Sequence, residues 1–165
     1  MAQTANVVTT LFTGFLNDPT TGIVQAVAML VSDTGVSVPA ISASQIRNQN
    51  VSAAISEKAL AVIYPTVQVY SDQVRNLLTE KFRTFSGKIR TVAEVRVSQD
   101  RIEGIEDSLR LYVDAVTQVL DSNRGSWGQG AFFTGGYQVN FEPVTHGGRN
   151  FLQVAKVIFE VDLSS

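Results

Sequence analysis

The sequence predicts a two-layer α+β domain: an antiparallel sheet of about four strands with one long helix packed on it, preceded by a helical N-terminal region. Three observations lead there. Residues 4–16 carry apolar side chains at helical spacing, residues 88–98 and 151–163 alternate as strands do, and between them residues 100–123 carry one continuous apolar stripe. A chain of 165 residues fits one domain, 1–165, with 1–60 as the helical part and 61–165 as a β-β-α-β-β core. A domain of this size buries about 70% of its unfolded surface.

The elements follow in order. Val7, Val8, Leu11, Phe12 and Phe15 lie on one face of a helix over 4–16, which Asn17-Asp18-Pro19 breaks. Residues 21–32 read as a second apolar helix, Ser32 to Asn50 as a loop, and 51–60 as a third short helix. Pro65 pushes Tyr64 toward extended backbone and opens a strand, 66–70. Residues 71–87 extend that strand or wander, with Phe82 and Phe85 packing inward and Ser86-Gly87 turning into the next strand. Over 88–98, Ile89, Thr91, Ala93, Val95 and Val97 share one face, while Arg90, Val92, Glu94, Arg96 and Ser98 share the other: a half-buried strand with a charged outer face. In 100–123, Ile102, Ile105, Leu109, Val113, Val116 and Leu120 form the stripe; Asp100 and Glu103 make a capping-box start and Arg124-Gly125 a stop. Such a helix is about 33 Å long. A strand over 137–144 ends at Pro143, which cannot donate to a ladder; a turn, 145–150, leads into the last strand, where six of the seven odd positions from 151 to 163 are apolar.

Composition narrows the function. The net charge is −2 and the chain has no cysteine, which excludes disulfides and thiolate metal sites and speaks against a domain-wide electrostatic grip on nucleic acid. The opening MAQTANVVTTLF has no basic n-region, so no signal peptide is expected, and the longest apolar run, residues 22–31, is half the length of a membrane span. Charge is uneven: Arg75 to Arg101 carries seven bases against three acids, and Glu103 to Asp121 five acids against one base. These are two solvated faces, or complementary patches between identical subunits.

The glycine-rich stretch 125-GSWGQGAFFTGG-136 invites a phosphate-loop reading and fails it. It has no lysine, and it follows a helix C-terminus, the wrong dipole end for an anion. The one histidine, His146, sits in a turn, and the acid pair Glu106-Asp107 lies on the outer helix face without a partner to shift it. No cofactor, metal site or catalytic group is expected. The basic run with Phe82 and Phe85 among Lys81, Arg83 and Lys88 offers an alternative, a nucleic-acid-binding module over 75–101. Otherwise the residues point to interaction. Trp127, the one tryptophan, is expected to anchor a partner, whereas Phe132 and Phe133 are expected to tuck under the loop as a lid.

Taken together, 65-PTVQVY-70, 80-EKFRTFSGKIRTVAEVRVSQDR-101, the helix to 120-LDSN-123, 137-YQVNF-141 and 151-FLQVAKVIFEV-161 resemble the neck proteins of tailed bacteriophages, the tail-terminator or head–tail joining subunits. The resemblance spans residues 60–163 and rests on topology and hydrophobic spacing; the helical stretch 4–58 is longer than the family leads one to expect. It implies a structural virion protein, assembled in the host bacterial cytoplasm. Its ring, commonly a hexamer, caps the tail tube and joins it to the head connector and stopper proteins around a channel through which DNA passes without specific binding. The subunit contacts then expected are Trp127, Phe132, Phe133, Arg124, His146, Arg149, Arg90, Arg96, Glu106, Asp107 and Asp114.

Overall fold

Helix α1, Ala2–Leu16, buries Val8, Phe12 and Leu16, spaced four apart, so one side of the helix is wholly inside. Its end is fixed by Asp18, whose carboxylate accepts the Thr20 and Thr21 N–H groups at 2.9 and 3.0 Å. Those two donors hold the Asp18 carboxyl down at about 2. Helix α2, Ile23–Thr34, closes on Gly35 in the left-handed conformation, φ 74°, where the Gly35 N–H returns to the Val31 carbonyl at 3.0 Å. The computed structural model describes residues 2–51, 63–77, 86–147 and 150–164. The helix expected over 51–60, apart from Val51, together with Lys81, Phe82, Arg83, Phe85 and Arg149, lies outside them.

The sheet corrects the predicted fold class. It is not a four-stranded antiparallel sheet under one long helix but a mixed sheet of eight strands curled into a half-barrel, with three short helices. Strand β1, Ile46–Arg47, pairs parallel with β2, Tyr64–Asn76, and this pair makes the sheet mixed. Strand β2 takes in residues 71–76 of the stretch that sequence left open, passing a bulge between Ser71 and Gln73. Next comes β3, Ser86–Gln99, and then β8, Asn150–Ser164, which pairs with β3 along its whole length, from Ser86 against Ser164 to Gln99 against Phe151.

The other edge of β8 explains the extra strands. Strands β5 (Ala131–Phe133), β6 (Tyr137–Phe141) and β7 (Thr145–Gly147) all run antiparallel to it in succession, as one bent arm of a long hairpin. The arm is interrupted by Thr134-Gly135-Gly136 and by Pro143, one offering loose backbone and the other removing a donor. Strand β4, Gly125–Gly128, folds back on β5. At Gly130, φ is 81° and a Cβ would fall on the Ser164 carbonyl, so this turn admits glycine alone without rearrangement.

Helix α3 is Ile105–Asp121, 17 residues, about 26 Å rather than 33 Å. It starts late because Gly104 adopts φ 76°, and the Gln99 side chain donates to the Arg101 and Glu103 carbonyls at 2.6 and 2.9 Å, holding the preceding residues in a turn. The capping box at Asp100 and Glu103 therefore does not form, and Ile102 is half exposed. Helix α3 packs on β3 and β8, α1 on β2 and β3, and α2 on α3, so the core lies between this helical layer and one face of the sheet. Tyr112, fully buried in α3, donates to the Pro39 carbonyl and ties the long loop down; burial pushes its phenol well above the ordinary range.

Candidate functional site

The glycine-rich loop is the first place where the structure reverses an expectation. Trp127 is buried inside its own chain, 7% exposed. Its ring stacks on Phe12 at 6.0 Å, meets Phe15 edge-on at 5.1 Å and leans on Phe133 at 5.7 Å; its Nε1–H donates to the Asn123 carbonyl. The partner anchor predicted for Trp127 is thus a core residue, because α1 supplies the aromatic surface it needs. Phe133 is also buried, as expected of a lid, but Phe132 is 48% exposed. The alternation of β5 sends these two neighbours to opposite faces.

The outer face of β3 is the second reversal. Glu94 and Arg96 are not solvated but 5% and 2% exposed. They lie two residues apart on one strand face, and Arg96 Nε donates to Glu94 Oε2 at 2.6 Å. The Tyr70 hydroxyl donates to Glu94 Oε1 at 3.0 Å, and Gln68 Nε2 reaches Oε2 at 3.4 Å. Burial first and the Glu94 charge second push the Tyr70 phenol well above its ordinary range. Both Gln68 Nε2 and Arg96 Nη2 also donate to the Val51 carbonyl, which pins that part of the chain to the sheet. Lys156, across from Glu94 on β8, stands 4.0 Å from it and 3.5 Å from Glu142. Both oxygens of Glu94 are engaged, so the cluster holds together as an internal clamp between β2, β3 and β8. The sequence did contain a signal for it, opposite charges at i and i+2 on one strand face, but only the cross-strand register brings Gln68, Glu94 and Lys156 into line.

The other predicted contact residues are dispersed. Arg90 meets Asp72 at 3.4 Å on the outer face of the sheet. Glu106 pairs with Arg110 at 3.4 Å, while Asp107 is exposed on the first turn of α3. Asp114 is exposed too, with its carboxyl pushed up by partial burial. Arg124 pairs with Asp121 at 3.1 Å. His146 is exposed and stacks on Phe151 at 4.5 Å. Arg75, Lys88, Arg90 and Arg96 of the basic segment are on the sheet and Arg101 is in the turn before α3, while Glu106, Asp107, Asp114 and Asp121 of the acidic segment are on α3. Of those bases, Lys88, Arg90 and Arg96 each face a carboxylate. Among the described residues, no group of three or more His, Asp and Glu could hold a metal ion, and no helix is long and apolar enough to cross a membrane.

What the arrangement does present is three half-exposed aromatic side chains on the bent arm, Phe132 on the polar face opposite Asp162, and Tyr137 and Phe141 on the helical side opposite Phe159 and Ala155. Phe132, Tyr137 and Phe141 are 48%, 40% and 42% exposed. Leu77, 53% exposed, lines the same cleft as Phe132, and Ile102 the same cleft as Phe141. Neither Tyr137 nor Phe141 was singled out by sequence; alternation in a five-residue strand gives too few positions to tell an exposed rim from a buried face. No protein-family model matches the chain, and no curated protein matches it.

Proposed function

We propose that the protein is a structural subunit of a tailed-phage virion, a ring-forming tail terminator or head–tail joining protein that caps the tail tube around the DNA channel. The observation that carries this reading is the half exposure of three aromatics on one arm of the sheet, Phe132 on its polar face and Tyr137 and Phe141 on its helical side. Aromatic side chains are enriched at protein contact surfaces, and this arm offers them on both faces of the sheet. The element order of the resemblance supports the same reading: a strand pair, a helix, and a closing hairpin. Engagement of Lys88, Arg90 and Arg96 by carboxylates weighs against the nucleic-acid alternative over 75–101, because paired cations release few counterions on meeting phosphate.

The test is assembly. Light scattering and negative-stain images of the purified chain, alone and mixed with phage tail tubes, are expected to give closed rings with a central channel seated on tube ends. A strict monomer that never joins tubes would overturn the proposal.

A further inference from the structure

Among the described residues, the sheet has an edge without a strand partner on each side. On one side β1 covers β2 only at Val67 and Gln68, and among the described residues no strand pairs with β2 beyond that point. On the other side β4 covers β5, while β6 pairs with β8 alone. Strand β6, YQVNF, carries no charge and no proline, the usual devices that blunt an edge.

We propose that β6 of one copy pairs antiparallel with the Ser71–Arg75 part of β2 of a second copy, joining their sheets into one. Four features of the two edges fit this partner. Polarity is the first: β2, β3, β8 and β6 alternate in direction, so when copies are related by rotation about an axis along the strands, β6 meets β2 antiparallel. The main-chain groups match as well. Glu142 N–H donates inward to Val154 O at 2.9 Å, so alternation turns the N–H and C=O groups of Tyr137, Val139 and Phe141 outward. Leu77 N–H donates inward to Ser86 O at 2.8 Å, which by the same rule turns those of Val74 outward.

Facing is the third. Val74 and Val139 both pack on the core from the helical side, and Gln73 and Asn140 point to the opposite, polar side. A register placing Val139 opposite Val74 therefore also places Asn140 opposite Gln73 and continues the apolar layer unbroken from one copy to the next. Charge is the last. Arg75 on β2 and Glu160 on β8 are exposed on the polar side, and neither makes an ion pair with a described residue. In that register the Arg75 side chain of one copy lies diagonally across the glycine break, at Gly136, from Glu160 of the other. The contact is heterologous, so it closes into a ring or runs on as a filament.

This inference rests on the ring reading for its number of copies, and the test separates the two. The chain has no cysteine, so introduced thiols report without background. Residues directly opposite in a non-hydrogen-bonded antiparallel pair lie about 4.5 Å apart at Cα, inside disulfide range. The Gln73→Cys/Asn140→Cys variant, oxidised, is expected to give a ladder of covalent multimers on a non-reducing gel. Each single variant alone is expected to give no covalent product. Arg75→Glu is expected to weaken assembly at least tenfold in sedimentation velocity, and Arg75→Glu with Glu160→Arg to restore it, with circular dichroism unchanged throughout. Rings that form normally without a ladder and without charge-reversal rescue would overturn the edge pairing while leaving the ring reading intact. Dimers from Asn140→Cys alone would overturn it in favour of a two-fold contact. A strict monomer at every concentration would overturn both.

Discussion

Replacing Trp127 with alanine separates core from contact most directly. The indole is 7% exposed and touches Phe12, Phe15, Phe133 and Phe159. A buried tryptophan removes roughly 150–250 Å² from water. At about 25 cal/mol per Å² that is about 4–6 kcal/mol, an upper bound because the unfolded chain is not fully extended. Alanine keeps a small part of this burial, and the emptied space collapses only partly, so the expected loss is about 3–5 kcal/mol. For a chain of this length that corresponds to a fall in Tm of roughly 6–20 °C. The assay is urea unfolding followed by far-UV circular dichroism, since the substitution removes the chain's only tryptophan fluorophore. The midpoint should fall with the m-value unchanged. In the parent protein, Trp127 emission should be blue-shifted when folded and move to the red through the same transition. If Trp127→Ala kept the parent midpoint but lost assembly, the core assignment would be refuted and the side chain would belong to an interface.

Three further outcomes are expected. Glu94→Ala leaves the Arg96 guanidinium buried without its carboxylate and should cost about 3–5 kcal/mol, whereas Glu94→Leu with Arg96→Met should recover most of that loss; a double-mutant cycle in urea that shows simple additivity would count against the clamp. Phe132→Ser should change stability by no more than about 0.5 kcal/mol and still weaken assembly, since the ring is half exposed; a large stability loss would place Phe132 in the core. Asp18 has a folded pKa of about 2 against an ordinary 3.8, so its contribution is complete above the higher value and disappears as pH falls through the lower one. The stability gap between the parent and Asp18→Asn should accordingly shrink between pH 4 and pH 2, and a carboxyl titration by NMR that centred near 4 would contradict it.

How much of this was legible depends on the range of the forces involved. The stripe from Ile105 to Leu120 reads as a helix from its spacing, because that spacing is a property of consecutive residues. Its start could not be read so simply: whether Asp100 caps a helix or Gly104 turns left-handed depends on Gln99 reaching two carbonyls across the turn. The alternation of Ala155, Val157, Phe159, Val161 and Leu163 marks β8 equally well, and these five are buried. The short strands β4 to β7 have too few residues to show a period, and they exist as strands because β8 supplies an edge long enough to pair with three of them in turn.

The candidate contact surface divides along the same line. The sequence by itself determined where the chain must turn, at Asp18-Pro19 and around Pro143, and which faces of α1, α3 and β8 are apolar, because backbone sterics and side-chain periodicity act over a few residues. Only the tertiary structure decided that Trp127 goes inward and Phe132 outward, and that the Glu94–Arg96 pair is buried while Arg75 is not. It also decided that, among the described residues, β6 pairs with β8 alone and β2 has no strand partner beyond Gln68 on its outer edge. Those outcomes depend on which surfaces, distant along the chain, arrive to cover a residue, and desolvation is a property of the assembled neighbourhood rather than of the residue.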